Sequence, residues 1–173
     1  NPVTYTNRYA DELEPAGREI KPSELKAIWH ACEDDRYGEI VKLLMLTGKR
    51  RTEIGNLKWT ELDLDNAVIH LPGGRAAGRV KNRMSDDVPL SKSALAILKS
   101  VERVEGEVYV FGGVGAEGFT GWTNAKLDLD KRAGMSSWRH HYLRHSVETV
   151  LADRFEVPQV HIDAVLNHVK KGM

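Results

Sequence analysis

The chain has 173 residues, 41% hydrophobic and 29% charged, which fits one globular domain with a real core and excludes a disordered or fibrous polypeptide. No apolar run approaches the length of a membrane span, and a single cysteine, Cys32, excludes an intramolecular disulfide and a cysteine-built metal centre. The 25 basic and 25 acidic side chains cancel, which excludes a uniformly basic nucleic-acid binder.

The charge is unevenly spread. Residues 1–40 carry nine acids against five bases, and the rest of the chain carries 16 against 20. Three windows hold no acid at all: 41–52, with Lys42, Lys49, Arg50 and Arg51; 70–85, with Arg75, Arg79, Lys81 and Arg83; and 131–145, with Lys131, Arg132, Arg139, Arg144, His140, His141 and His145. If these converge in space, a basic groove can sit on a neutral protein.

Residues 1–21 show no periodicity and are expected to be a linker from a preceding DNA-binding domain, with residues 22–173 as one domain. The chain opens on Asn1, so we expect a piece of something longer. Pro22-Ser23 reads as a helix entry, with Leu25, Ile28, Trp29 and Cys32 at amphipathic spacing. Glu33-Asp34-Asp35 reads as a turn. A second, central helix is expected over 37–46, stopped by Thr47-Gly48. A third should begin near Thr52 and end around Trp59. Asp65-Asn66 is a turn, and three β-rich runs follow: 67–71, 79–81 and 87–90. They predict a small antiparallel sheet or hairpin, with Lys81 near its tip. Helix returns over 91–101, Tyr109-Val110-Phe111 is extended, and further helices are expected over 120–132, 139–153 and 158–167. The predicted fold is α+β, mainly helical, with a small sheet inserted.

Four segments carry the chemistry. Thr47-Gly48-Lys49-Arg50-Arg51-Thr52-Glu53 delivers arginines at a helix start. Lys81 lies inside Arg79-Val80-Lys81-Asn82-Arg83, ahead of Val88-Pro89-Leu90. His141-Tyr142-Leu143-Arg144 puts an imidazole and a guanidinium on one helical face, a pairing suited to gripping a phosphate. Val165-Leu166-Asn167-His168 closes the series. In this order and spacing the segments resemble the catalytic domain of the tyrosine recombinases, in particular phage-type integrases, over nearly the whole chain from about residue 20.

The resemblance implies roles. Arg50, Lys81, His141, Arg144 and His168 stand where the family has catalytic groups, with Glu53 bracing the arginines. Lys49, Arg51, Arg79, Arg83, Arg139 and His140 are the expected DNA contacts. Two departures are His145-Ser146 after the second arginine, where the family often has Arg-Thr, and Asn167 in place of a usual glycine. The family's nucleophilic tyrosine lies about ten residues beyond the last histidine. No tyrosine follows Tyr142, and Tyr142 itself reads as core. The implied activity is site-specific recombination through a 3′-phosphotyrosine link, without cofactor or metal. Duplex attachment-site DNA is the partner, full-length protein would work as a tetramer on DNA, and the fragment alone would be a monomer that binds DNA without cutting it. A bacterial cytoplasmic setting goes with this, and Arg144→Ala is expected to spare the fold while abolishing cleavage. Other readings remain: a non-cleaving DNA-binding or regulatory fragment, a type IB topoisomerase, and a histidine–metal nuclease built on His141 and His145 with His140 and His161.

Overall fold

The computed structural model describes residues 19–73, 84–113 and 115–168. Its helices are α1 (Pro22–Ala31), α2 (Arg36–Thr47), α3 (Arg51–Gly55), α4 (Lys92–Ser100), α5 (Trp122–Ala133), α6 (His140–Thr149) and α7 (Gln159–Val165). Between α3 and α4 lie β1 (Leu62–Asp63), β2 (Val68–Leu71) and β3 (Asp86–Pro89), an antiparallel sheet in the order β1-β2-β3. The mainly helical α+β expectation therefore holds. The expected strand over 79–81 lies outside the described residues. Among the described residues no helix is long and apolar enough to cross a membrane.

Helix α2 is the central element because its apolar residues recur on nearly every side. Tyr37, Ile40, Val41, Leu43 and Leu44 are all buried, and the helix packs against α3, α4 and α6. Its start is chemically specified: Asp35 accepts a 2.6 Å bond from the Gly38 amide at the N-cap. The acidic run at 33–35 thus does more than turn the chain. The helix ends at Gly48, whose left-handed φ of 63° closes it.

The third helix is shorter than its periodicity predicts. It stops at Gly55, where the Trp122 ring lies so close that a Cβ would stand 2.4 Å from Trp122 Cζ2. Residues Trp59–Glu61 then form a separate 3-10 turn. The extended segment at 109–111 does not stand alone: the Val110 amide donates to Leu57 O at 2.8 Å. In the sheet, Ile69 pairs with Val88 and both are buried, while His70 and Asp87 face outward and bond at 2.7 Å. At the other end of the domain α6 widens into a π-helical turn over Val150–Arg154 before α7. The core is continuous from Ile20 through Leu143, so ordered packing begins before Pro22.

Candidate active site

The site is built on the turn between α2 and α3. Thr47 Oγ1 donates back to Leu43 O at 2.7 Å, Gly48 takes its left-handed conformation, and Arg50 becomes the N-cap residue of α3. Glu53, one turn into α3, is 0% exposed. Its two carboxylate oxygens are both committed to Arg50: Oε2 accepts from the backbone amide at 2.7 Å and Oε1 from Nη1 at 2.8 Å. The clamp leaves the Arg50 side chain 23% exposed, reachable from solvent yet held in direction.

Arg144 comes to the same turn from α6. It is 3% exposed. Nη1 donates to Gly48 O at 2.7 Å and Nη2 to Leu166 O, just past α7. Burial, and then the neighbouring Arg50 charge, lower its pKa to about 10, against the pull of Glu53, Glu148 and Asp86. It stays cationic at neutral pH. Arg144→Ala would remove the donors that Gly48 O and Leu166 O take from the guanidinium, which argues for a stability cost beside the expected loss of cleavage.

The other expected groups are distributed around this pair. His141 lies one helical turn before Arg144, exposed, its ring 4.6 Å from that of His145. His168 follows α7; its amide donates to Asp163 O at 2.7 Å and its Nδ1 lies 3.6 Å from Asp163 Oδ1. The segment reaches this place through Asn167, whose φ is 50°. Asparagine tolerates the left-handed region better than most side chains, so the departure from glycine keeps the conformation. Lys81, Arg79 and Arg83 lie outside the described residues.

Two of the expected DNA contacts are corrected by their surroundings. Lys49 is 3% exposed and its ammonium is engaged inside, with Asp86 at 2.5 Å and Val165 O at 2.7 Å. Its pKa is lowered, with desolvation the largest cause and Asp86 opposing it. His140 faces inward: Nε2 is 2.9 Å from the Tyr37 hydroxyl, and the rings of Tyr37, Trp122 and Trp138 meet it edge-on. Burial first, then Arg51 and Lys126, lower its pKa to about 3, so it is neutral. Arg51 remains exposed, 5.2 Å over the Trp122 ring, and Arg139 is the partly exposed residue before α6.

Sequence reasoning missed Asp86 and the left-handed turn at Asn167. Asp86 had one signal, an acid directly following the base-only window at 70–85. Among the described residues no group of three or more His, Cys, Asp or Glu comes together as metal ligands, so the donors of the histidine–metal reading do not assemble there. What does assemble is a pair of guanidiniums, each oriented by buried acceptors, which is a chemical match for the charge on a phosphodiester.

The comparisons with known proteins agree. The phage integrase family profile matches residues 18–173. Prophage integrase IntA of Escherichia coli (strain K12) is 29% identical over 162 residues, covering 88% of this chain and 37% of that protein. Among solved structures, XerA recombinase superposes with a TM-score of 0.73 at 25% identity, over 91% of this chain and 57% of that one. The Tn1549 transposon integrase in complex with a circular intermediate DNA gives 0.70 at 16%, over 92% and 60%. A lambda integrase tetramer bound to a Holliday junction gives 0.64 at 15%, over 91% and 48%. The chain thus spans a little over a third of the relative's length and about half of these structures, and the last two likenesses speak to the fold alone. With the family profile matching residues 18–173, nearly the whole chain, the chain belongs to the phage integrase family.

Proposed function

We propose that this domain supplies the phosphate-gripping and proton-transfer groups of a site-specific DNA recombination reaction, in which the full-length protein cuts and rejoins duplex attachment sites through a 3′-phosphotyrosine intermediate. The observation that carries it is the Arg50–Arg144 pair on the Gly48 turn, held by Glu53 and by backbone carbonyls. Attack on a phosphodiester gathers negative charge on the nonbridging oxygens, and prearranged guanidiniums neutralise it without having to reorganise. In this reading a tyrosine phenolate forms the bond to phosphorus as the 5′ oxygen of the deoxyribose departs. His141 and His168 handle the phosphate and the phenol proton. Lys81 protonates the departing 5′ oxygen.

Two of the described tyrosines, Tyr37 and Tyr142, do not suit the role of nucleophile. Tyr37 is buried and bonded to His140, and desolvation pushes its pKa well above the ordinary phenol range. Tyr142 packs against the core. The nucleophile in this proposal is a tyrosine outside residues 1–173. The segment ahead of Ile20 joins the domain to a separate DNA-binding domain, the full-length protein works as a tetramer on paired sites, and the isolated domain is monomeric. The reaction runs in the bacterial cytoplasm on chromosomal DNA and calls on no cofactor or metal. Arg51 and Arg139 remain on the exposed side as DNA contacts, with Arg79 and Arg83 proposed on sequence alone.

The test uses the full-length gene product with nicked duplex DNA from its own junction, in EDTA. A covalent protein–DNA adduct on a denaturing gel is expected, reduced about a hundredfold or more by Arg144→Lys, which keeps the charge and loses the fork. Cleavage without adduct that returns only on adding magnesium would overturn the recombinase reading. DNA binding with neither adduct nor cleavage would leave a non-cleaving DNA-binding protein.

A further inference from the structure

Lys49 stands between Gly48 and Arg50 in the turn, yet its ammonium points away from solvent, with its side chain 2% exposed. Burying an ammonium is costly unless close partners compensate. Here both partners come from distant parts of the chain: Asp86 Oδ2, at the start of β3, and Val165 O, the last residue of α7.

The second partner is the informative one. The last carbonyls of a helix have no acceptor role left inside it. At the end of α7, Lys49 takes Val165 O and Arg144 takes Leu166 O, so consecutive carbonyls are held by two cations. Both cations meet at the same turn, since Arg144 reaches Gly48 O from α6 and Lys49 is the residue after Gly48. The geometry ties four pieces together: the turn before α3, the α6 arginine, the start of β3 and the end of α7. Two of them lead directly to site residues. Arg50 is one residue after Lys49, and His168 is three residues after Val165, across the left-handed Asn167. A hydrophobic pair could fill the volume of Lys49 and Asp86, but it could not donate to Val165 O.

We propose that Lys49, held by Asp86, is a positioning residue of the cleavage site, fixing the end of α7 and with it His168 relative to the turn that presents Arg50. The assignment rests on the recombinase reading for its catalytic consequence, and on the geometry alone for its structural one. Lys49 touches neither DNA nor the reacting atoms; it acts through the backbone of residues 165–168.

The experiment pairs two measurements on Lys49→Met/Asp86→Leu, which removes the ion pair without leaving a lone buried charge. In the 173-residue chain, amide exchange at Leu166, Asn167 and His168 should accelerate about tenfold or more, with the α2 amides unchanged. In the full-length gene product, the rate of adduct formation at saturating nicked DNA should fall about tenfold or more, while the Kd for that DNA moves less than about twofold. A merely structural role would not separate rate from affinity in this way. Unchanged exchange at 166–168 in the folded variant overturns the proposal, and so does faster exchange with an unchanged adduct rate. If the double variant does not fold, Asp86→Asn keeps an oxygen opposite Nζ and is measured the same way, with about threefold effects expected. No adduct from the unmodified protein would sink the recombinase reading and the catalytic assignment with it. Exchange would still report separately whether Lys49 holds the end of α7.

Discussion

Acidification should unfold this domain partly through one histidine. His140 sits under Trp122 and Trp138 with its Nε2 at the Tyr37 hydroxyl, and its folded pKa is about 3 against an ordinary 6.5. Because the folded value is the lower one, the unfolded chain binds one more proton than the folded chain throughout the interval between the two. Stability is therefore complete above about pH 6.5, falls as the pH drops through that value, and stops falling on this account near pH 3. At about 1.4 kcal/mol per pH unit, going from pH 7 to pH 5 costs about 2 kcal/mol from this residue alone. The comparator is His140→Gln, whose amide oxygen can accept from Tyr37 and does not titrate. Urea unfolding followed by tryptophan fluorescence at the two pH values reads the difference, since Trp122 and Trp138 border the ring. With a urea slope of about 2 kcal/mol per molar, the wild-type midpoint should drop about 1 M further than that of the variant. Carboxylates contribute to both proteins and cancel in the comparison. Equal losses in the two proteins would refute the claim that His140 is held inward in its neutral form.

Two further substitutions probe the site's frame. At Asn167, with φ of 50°, glycine should be neutral or stabilising by up to about 1 kcal/mol, whereas valine should cost about 1–2 kcal/mol; thermal melts of both variants check this, and a harmless valine would contradict the left-handed turn. Glu53→Gln puts an amide where Arg50 offers two donors to two carboxylate oxygens. It should cost about 1–3 kcal/mol of stability and slow adduct formation at saturating DNA by about tenfold or more, while leaving the DNA affinity nearly unchanged.

Strong periodicity made α2 and α6 legible, and the stop of α2 at Gly48 sits where composition puts it, whereas the single helix expected over 139–153 turns π-helical from Val150. The third helix misled because Ile54 and Leu57 are both buried, but the helix ends between them at Gly55, which lies against a ring from α5. No local pattern encodes that. β1 is two residues long and is made by pairing with β2, not by its own propensity. The basic windows misplaced Lys49 and His140 for a related reason: charge counting records which residues are cationic, not which way they face. His140 is next to His141, but a step of about 100° on the helix turns it to the aromatic interior. Lys49 is neutralised by Asp86, 37 residues away, a partner visible only once β3 is paired with β2. Arg50, Glu53 and Arg144 were legible through their shared resemblance to one family; their geometry adds how each is aimed.

That aim explains why cations in this site cannot be divided into structural and chemical ones. Arg144 offers five N–H donors, and two of its nitrogens are already anchored to Gly48 O and Leu166 O. The anchored edge cannot turn to follow a ligand, so in the proposed reaction a phosphate would come to the remaining N–H groups, in a direction fixed before it arrives. This is the preorganisation that makes electrostatic stabilisation of a transition state effective, and its cost is borne by folding. It also brings Gly48 into the site although it carries no functional group. A side chain there would place its Cβ 2.7 Å from Leu166 Cδ2 and in a left-handed backbone, pushing apart the two carbonyls that Arg144 spans. The glycine matters to chemistry because it sets the width of the gap that the guanidinium bridges.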